Sequence, residues 1–369
     1  MRVALIHDWL INMGGAERVL EELARLYPEA PIYAGVVQRA NLSPVLRERT
    51  IIPSLVQNWP RATRWYNRYL PLLAYAVEQW DLSSFDVVIS SSAAVAKGVL
   101  TRAEAFHLAY VHTPMRYAWD LYPAYREQEA HGITRRIMGP VFHYLRLWDR
   151  LSADRVDQLV ANSTTVAARI NKHYRRDAIV VPPPVEVDGF RVQYGRGRHY
   201  LVLSRLVRYK RLDLAVEAAN RLQVPLVVAG DGPERKALQR LAGPTVQFLG
   251  RVDEATRVGL IEEAVALLFP GEEDFGIVPV EVQAAGRPVI AYERGGVRDT
   301  VVGQETGILF SEQSVDGLVD AIVRSQAVDW DPDRIRRNSE RFRPEFFARA
   351  ISRLVAAGIS GGRGDNSND

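Results

Sequence analysis

Two stretches of this 369-residue sequence concentrate side chains able to handle a charged, hydroxyl-rich ligand. The first is Gly271-Glu272-Glu273-Asp274-Phe275-Gly276-Ile277-Val278-Pro279-Val280-Glu281. The apolar run Val265 to Pro270 before it predicts a strand, Pro279 suits a first helical turn, and Gly286 suits a C-terminal cap. The loop would then bring a helix N-terminus to a strand end, where backbone N–H groups and the helix dipole favour a phosphate. Glu273 falls in the loop and Glu281 inside the helix. A carboxylate can accept hydrogen bonds from two neighbouring hydroxyls, so Glu281 is expected to hold a ribose and Glu273 a second polyol. A capped surface helix with an acidic first turn is the plainer alternative.

The second stretch, Ser204-Arg205-Leu206-Val207-Arg208-Tyr209-Lys210, directly follows another strand-like run. Arg205 offers a planar fork and Lys210 a mobile point charge, the two ways proteins neutralise a diphosphate. Cations placed where a nucleoside diphosphate departs stabilise the transition state more than the ground state. A third segment, His107 to Asp120 (HLAYVHTPMRYAWD), puts His112 at the end of a strand-like run, where a ligand would sit. A strand-end histidine bonded to backbone is the alternative there. Arg116 and Asp120, with Asp8 after the first strand, are candidates for orienting an acceptor or donor.

The elements that must position these residues alternate. Val3-Ala4-Leu5-Ile6 reads as a strand, Gly14-Gly15 as a turn and Ala16 to Tyr27 as a helix. Further strands are predicted over Pro31–Val37, Asp86–Ser90, Leu108–His112, Gln158–Asn162 and Ala178–Val181, with a helix over Thr164–Tyr174. The prolines Pro182-Pro183-Pro184 end this half, and Val185 to Arg198 reads as a hinge. The second half repeats the pattern, with strands over Tyr200–Ser204, Pro225–Gly230, Val246–Gly250, Val265–Pro270, Pro288–Tyr292 and Gly307–Phe310. Its predicted helices span Leu212–Leu222, Glu234–Leu241, Glu254–Ala264, Val278–Ala285 and Val315–Ser325. Such alternation implies an α/β protein with parallel sheets covered on both faces, and ligands beyond the carboxyl ends of the strands. The expected domains are 1–184 and 185–357, with the last helix packing back on the first domain, and a disordered tail at 358–369.

Composition narrows the partners. A formal charge of only +3 argues against a nucleic-acid binder held by phosphate neutralisation. Arginines cluster locally, at 61, 64 and 68, at 135, 136, 146 and 150, and at 334, 336, 337, 341 and 343; solvated helix faces account for any one cluster. The absence of cysteine removes disulfides, thiolate metal sites and cysteine nucleophiles. No segment suits a signal peptide or a spanning helix, so a cytoplasmic protein is expected. Thr63 to Trp80 mixes aromatics, arginines and leucines, so it could serve as an interfacial membrane helix or as a core helix kinked by Pro71.

Glu273 and Glu281, with Phe275-Gly276 between them and Gln283-Ala284-Ala285-Gly286-Arg287-Pro288-Val289-Ile290-Ala291 after, resemble the Glu-x7-Glu signature of retaining glycosyltransferases of family 4. Arg205 and Lys210 match that family's diphosphate-binding pair. Gly14-Gly15-Ala16-Glu17 resembles its glycine loop, Asn162-Ser163 its strand end, and Val227 to Pro233 its second C-domain strand. One departure is Ser204, where many relatives carry glycine.

The resemblance implies the GT-B fold, two Rossmann-like domains with parallel sheets facing across a cleft. It implies a nucleotide-sugar donor and no cofactor or metal. It assigns His112, Glu273, Arg205 and Lys210 to catalysis, and Gly14, Gly15, Arg251, Val252, Phe275, Gly276, Ile277, Val278 and Glu281 to donor binding alongside Arg205, Lys210 and Glu273. The His107 to Asp120 segment looks like bacterial mannosyltransferases of surface polysaccharides. The expectation is therefore mannose transfer from GDP-mannose to a glycan or polyprenyl-diphosphate-linked acceptor, with membrane contact from the cytoplasmic side. The alternatives are a UDP-sugar transferase, a nucleotide-sugar epimerase or a non-catalytic binder. Asp8 and Asp120 aside, the first half offers no obvious carboxylate nucleophile, so front-face displacement fits better than a covalent intermediate.

Overall fold

The computed structural model describes residues 1–123, 126 and 133–361. Two compact units emerge: Met1–Pro184 with the chain from Phe347 onward, and Val185–Phe346.

Unit 1 carries β1 (Val3–His7), β2 (Ile32–Ala34), β3 (Ile51–Pro53), β4 (Val87–Ser92), β5 (Phe106–Val111), β6 (Gln158–Ala161) and β7 (Ile179–Val180). Among the described residues they form one sheet in the order β3-β2-β1-β4-β5-β6-β7, every pair parallel. β1 and β4 are buried along their whole length, so neither alternates; β1 opens as the apolar run Val3–Ile6, while β4 passes from Val87–Ile89 into the buried serines Ser90–Ser92. The helix Gly15–Leu26 covers one face through Val19, Leu20 and Leu23. The final helix, Pro344–Gly361, adds Phe347, Ile351 and Val355 to the same core. The second unit therefore ends earlier than the expected 357. Helix also replaces the first residues of the expected tail, while 362–369 lie outside the described residues.

Thr63 to Trp80 is not one kinked helix. It divides into Ala62–Trp65, a 3₁₀ turn over Tyr66–Tyr69 and the helix Leu70–Val77, in whose first turn Pro71 sits. Leu70, Leu73, Ala74, Ala76 and Val77 are buried in a core shared with β1 and β4. The core reading explains this segment; Trp65, flanked by the guanidinium groups of Arg61 and Arg68, marks its polar edge. Among the described residues no helix is long and apolar enough to cross a membrane.

Unit 2 carries β8 (His199–Leu203), β9 (Leu226–Ala229), β10 (Val246–Gly250), β11 (Ala264–Phe269), β12 (Val289–Tyr292) and β13 (Gly307–Phe310). They form a parallel sheet in the order β10-β9-β8-β11-β12-β13. The order reverses between β8 and β11, so the loops after these two strands diverge and leave a crevice at their carboxyl ends. The expected hinge over 185–198 is instead anchored to this unit. Val185, Val187 and Phe190 are buried in its core, the Val185 N–H donates to Phe342 O (2.9 Å), and the Arg191 N–H donates to Glu262 (2.9 Å). Asp188 pairs with Arg336 (3.2 Å) and Arg343 (2.5 Å), which holds its carboxyl below the usual range.

Candidate active site

The loops after β8 and β11 carry the residues singled out by type and spacing. Lys210 ends a 3₁₀ turn, Arg208–Lys210, and its Nζ lies 2.7 Å from Glu273 Oε1. Both groups are partly exposed, at 15% and 25%. Gly271 permits this approach, because a Cβ there would stand 2.6 Å from the Lys210 Cα. A small depression lined by Ser204, Lys210, Gly271 and Glu273 marks the switch point. Each side chain keeps part of its surface open, so a ligand can reach both members of this partly buried pair.

Arg205 is exposed in the same loop after β8 that carries Lys210. Its loop is fixed from beneath. Gly230, at φ +133°, would put a Cβ 1.8 Å from the Ser204 carbonyl oxygen, and Gly232 would put one 2.2 Å from that of Leu206. The Leu206 N–H donates to Asp231 O at 3.0 Å. The glycines of VVAGDGP thus let the β9 loop support the cationic loop after β8.

Gly276 takes a left-handed conformation (φ +87°) at the N-terminus of the helix Ile277–Ala284. Phe275 is buried edge-on against Phe342 (5.5 Å), while Ile277 and Val278 stay partly exposed. This gives the crevice a helix N-terminus, suited to an anion. Glu273 is set by a loop that sequence reasoning missed. The Gly296 N–H donates to Glu273 O (2.9 Å), and Gly295, at φ +76°, has room for no side chain because a Cβ would lie 2.1 Å from that oxygen. The adjacent Gly-Gly after β12 was the available signal.

Glu281 is buried, 2% exposed, and accepts from Arg257 Nη1 at 2.6 Å. Arg257 also grips Glu254, with Nε donating at 2.8 Å. Burial alone would lower the Arg257 pKa, but the Glu254 and Glu281 carboxylates outweigh it and hold the guanidinium above its usual value. Glu281 is therefore a carboxylate already oriented by a cation. Arg251 and Val252 follow β10, at the sheet edge, with Arg251 exposed.

In unit 1 the equivalent reversal falls between β1 and β4. Asp8, just past β1, was expected to orient an acceptor. Instead it is buried, with Oδ2 accepting from the N–H groups of Ala93 and Ala94 and Oδ1 from those of Val95 and Ala96, at 2.6–3.0 Å. Those four bonds fill the carboxylate, so Asp8 is a structural clamp on the turn after β4. Asp120 likewise serves an ion-pair cluster, with Arg169 Nε at 3.0 Å and His173 Nε2 at 3.0 Å. Arg116 lies half-buried in the loop after β5. The side chains of Arg135 and Arg136 lie outside the described residues.

His112 follows β5, and its Nε2 meets Ser91 Oγ at 2.8 Å. Asn162 Nδ2 donates to the His112 carbonyl (2.9 Å), which fixes the backbone there. Burial pushes the His112 pKa down to about 3, with His7 contributing, so the ring is neutral near pH 7. Gly14 and Gly15 open the helix Gly15–Leu26, whose first turn carries Glu17.

Two α/β units with parallel sheets, one bearing a cation–carboxylate pair and a helix N-terminus at its switch point, define the GT-B class. The comparisons place the chain within it. Residues 13–188 match the model described as Glycosyltransferase Family 4, and residues 192–341 match Glycosyl transferases group 1. The chain belongs to the family-4 type of GT-B glycosyltransferases.

Human alpha-1,3/1,6-mannosyltransferase ALG2 is 25% identical over 94% of this chain and 93% of its own length. The D-rhamnosyltransferase WbpZ of Pseudomonas aeruginosa is 29% identical over 42% of this chain. That match spans 46% of WbpZ, and the next, to D-inositol 3-phosphate glycosyltransferase of Geodermatophilus obscurus at 33% identity, spans 42% of the relative and of this chain. The chain thus aligns with less than half the length of these two relatives. Among solved structures, Anabaena Alr3699/HepE in complex with UDP and glucose superposes with a TM-score of 0.72 at 17% identity, over 97% of this chain and 100% of the other.

Proposed function

We propose that this chain is a retaining mannosyltransferase that uses GDP-mannose and delivers the sugar to a lipid-linked or oligosaccharide acceptor in polysaccharide assembly. The observation that carries the reading is the 2.7 Å pairing of Lys210 with Glu273 at the β8/β11 switch point, with Arg205 in the same loop as Lys210 and a helix N-terminus at Gly276. An ammonium alone would suit any anion. An ammonium held by a carboxylate suits a ligand with a phosphate next to hydroxyls, which is the make-up of a nucleotide sugar.

In this reading Arg205, Lys210 and the first helical N–H groups take the diphosphate and stabilise the charge it gains on leaving. Glu273 accepts from hydroxyls of the transferred sugar and Glu281 from the ribose, and His112, in unit 1, is a candidate partner for a sugar hydroxyl. With Asp8 spent on backbone N–H groups and Asp120 on Arg169 and His173, neither supplies a nucleophile. This supports front-face displacement, in which a departing diphosphate oxygen takes the acceptor proton. The likeness to ALG2 along nearly its whole length supports mannose.

The test is release of nucleoside diphosphate from GDP-, UDP- and ADP-sugars with and without polyprenyl-diphosphate-linked oligosaccharide. Acceptor-dependent release from GDP-mannose supports the reading. Acceptor-independent interconversion of donors would indicate an epimerase, and binding without turnover a non-catalytic protein.

A further inference from the structure

Behind His112 stands a line of polar groups that the sequence reading did not use. His112 Nε2 meets Ser91 Oγ at 2.8 Å, Ser91 Oγ meets His7 Nδ1 at 3.1 Å, and His7 Nε2 lies 3.7 Å from Glu17 Oε1. Four separate elements supply them: the loop after β5, β4, the end of β1, and the first turn of the helix Gly15–Leu26. His7 is 2% exposed and Glu17 12%. The backbone at Gly14 runs close to this carboxylate: a Cβ there would sit 3.0 Å from Glu17 Oε2.

We propose that Glu17, His7 and Ser91 are positioning residues that set the tautomer of His112, so that its Nδ1 meets substrate as a hydrogen-bond acceptor. The order of protons follows from what each group can do. At 3.7 Å the Glu17 carboxylate is too far for a hydrogen bond, but its negative charge favours the ring proton of His7 on the nitrogen that faces it, Nε2. When the His7 ring carries that one proton only, its Nδ1 is bare and takes the single hydroxyl proton of Ser91. With that proton spent, Ser91 Oγ can only accept from His112, so His112 Nε2 is protonated. Nδ1, the ring nitrogen not engaged by Ser91, holds a lone pair. The ligand it recognises is a hydroxyl donor, such as a sugar O–H; a carbonyl or phosphate oxygen would be repelled. A doubly protonated His7 would reverse the line and turn Nδ1 of His112 into a donor.

This inference rests on the proposed function only in taking the ligand to be a sugar, and its primary readout is independent of turnover. The full chain is labelled with ¹⁵N-histidine, and its seven histidines are assigned by single His→Gln replacements. Near pH 7, His112 is expected to show a protonated Nε2 and a bare Nδ1. Ser91→Ala and Glu17→Ala should each mix the two tautomers of His112 without lowering the melting temperature markedly, and Glu17→Gln, which keeps the shape but not the charge, should mix them as well. With GDP-mannose and acceptor, Glu17→Ala should raise KM about tenfold, the equivalent of one hydrogen bond, with a smaller change in kcat. A protonated Nδ1 in the native chain, or a tautomer unmoved by Ser91→Ala and Glu17→Ala, would overturn the line even if transfer is observed. The expected tautomers without transfer would leave the line standing and refute the proposed activity.

Discussion

Replacing Lys210 by alanine separates a binding role from a structural one. The Lys210–Glu273 pair is partly exposed, so losing it should cost about 0–1 kcal/mol of stability. For a unit of this size that is a melting shift of about 2–4 °C at most. The loss at a bound nucleotide sugar should be larger. One charge-assisted hydrogen bond to a phosphate is worth about 1.5–3 kcal/mol in the ground state. Removing a group that stabilises developing charge costs about 10² to 10³ in kcat. Lys210→Ala should therefore melt almost as the native chain does while acceptor-dependent release of GDP falls by about a hundredfold or more. Lys210→Arg, which keeps the charge but replaces a compact ammonium by a planar fork, should fall in between. A transfer rate within threefold of native for Lys210→Ala, or a melting loss of ten degrees or more, would refute the reasoning.

Four further outcomes follow from the same geometry. Gly295→Ala should lower stability by more than about 1 kcal/mol in chemical denaturation and also depress transfer, because its Cβ meets the carbonyl that places Glu273 and its φ is +76°. Arg257→Ala leaves the buried Glu281 carboxylate without its cation and should cost about 3–5 kcal/mol by the same measurement. Asp8→Ala strips acceptors from four backbone N–H groups and should lower the melting temperature sharply; a lower rate at unchanged melting would return Asp8 to acceptor binding. Acid should destabilise unit 1 through His107, which burial, with Arg155 assisting, pushes from 6.5 to about 3. The unfolded chain takes up the proton below about pH 6.5 while the folded one refuses it until about pH 3. Stability is therefore lost as pH falls across that window, at up to about 1.4 kcal/mol per pH unit. His112, pushed down to about 3 as well, adds an equal slope, so His107→Gln should reduce the slope of the denaturation midpoint between pH 6 and 4 without abolishing it.

The central strands and the switch-point loops were legible because each depends on local sequence. β1 and β11 are short, mainly apolar runs, and the cations and carboxylates follow strands at positions that period and glycine placement define. β3 escaped because Ile51–Pro53 is a short edge strand that ends in proline. The helix Ile133–Asp154 was not delimited, and it contains Pro140, ordinarily a helix breaker. The partners of Glu281 and Asp8 could not be read, since Arg257 lies on another helix and the four N–H groups come from the turn after a non-consecutive strand. The line from Glu17 to His112 was hidden for the same reason: only the sheet order β1-β4-β5 brings His7, Ser91 and the residue after Val111 side by side.

The most direct test is calorimetric titration of the full chain with GDP, GMP and guanosine, repeated with Lys210→Ala. If the β8/β11 crevice holds a diphosphate, GDP binds the native chain at least tenfold more tightly than GMP, and the substitution erases most of that difference. Equal affinities for GDP and GMP, or a difference that survives the loss of Lys210, would contradict the account.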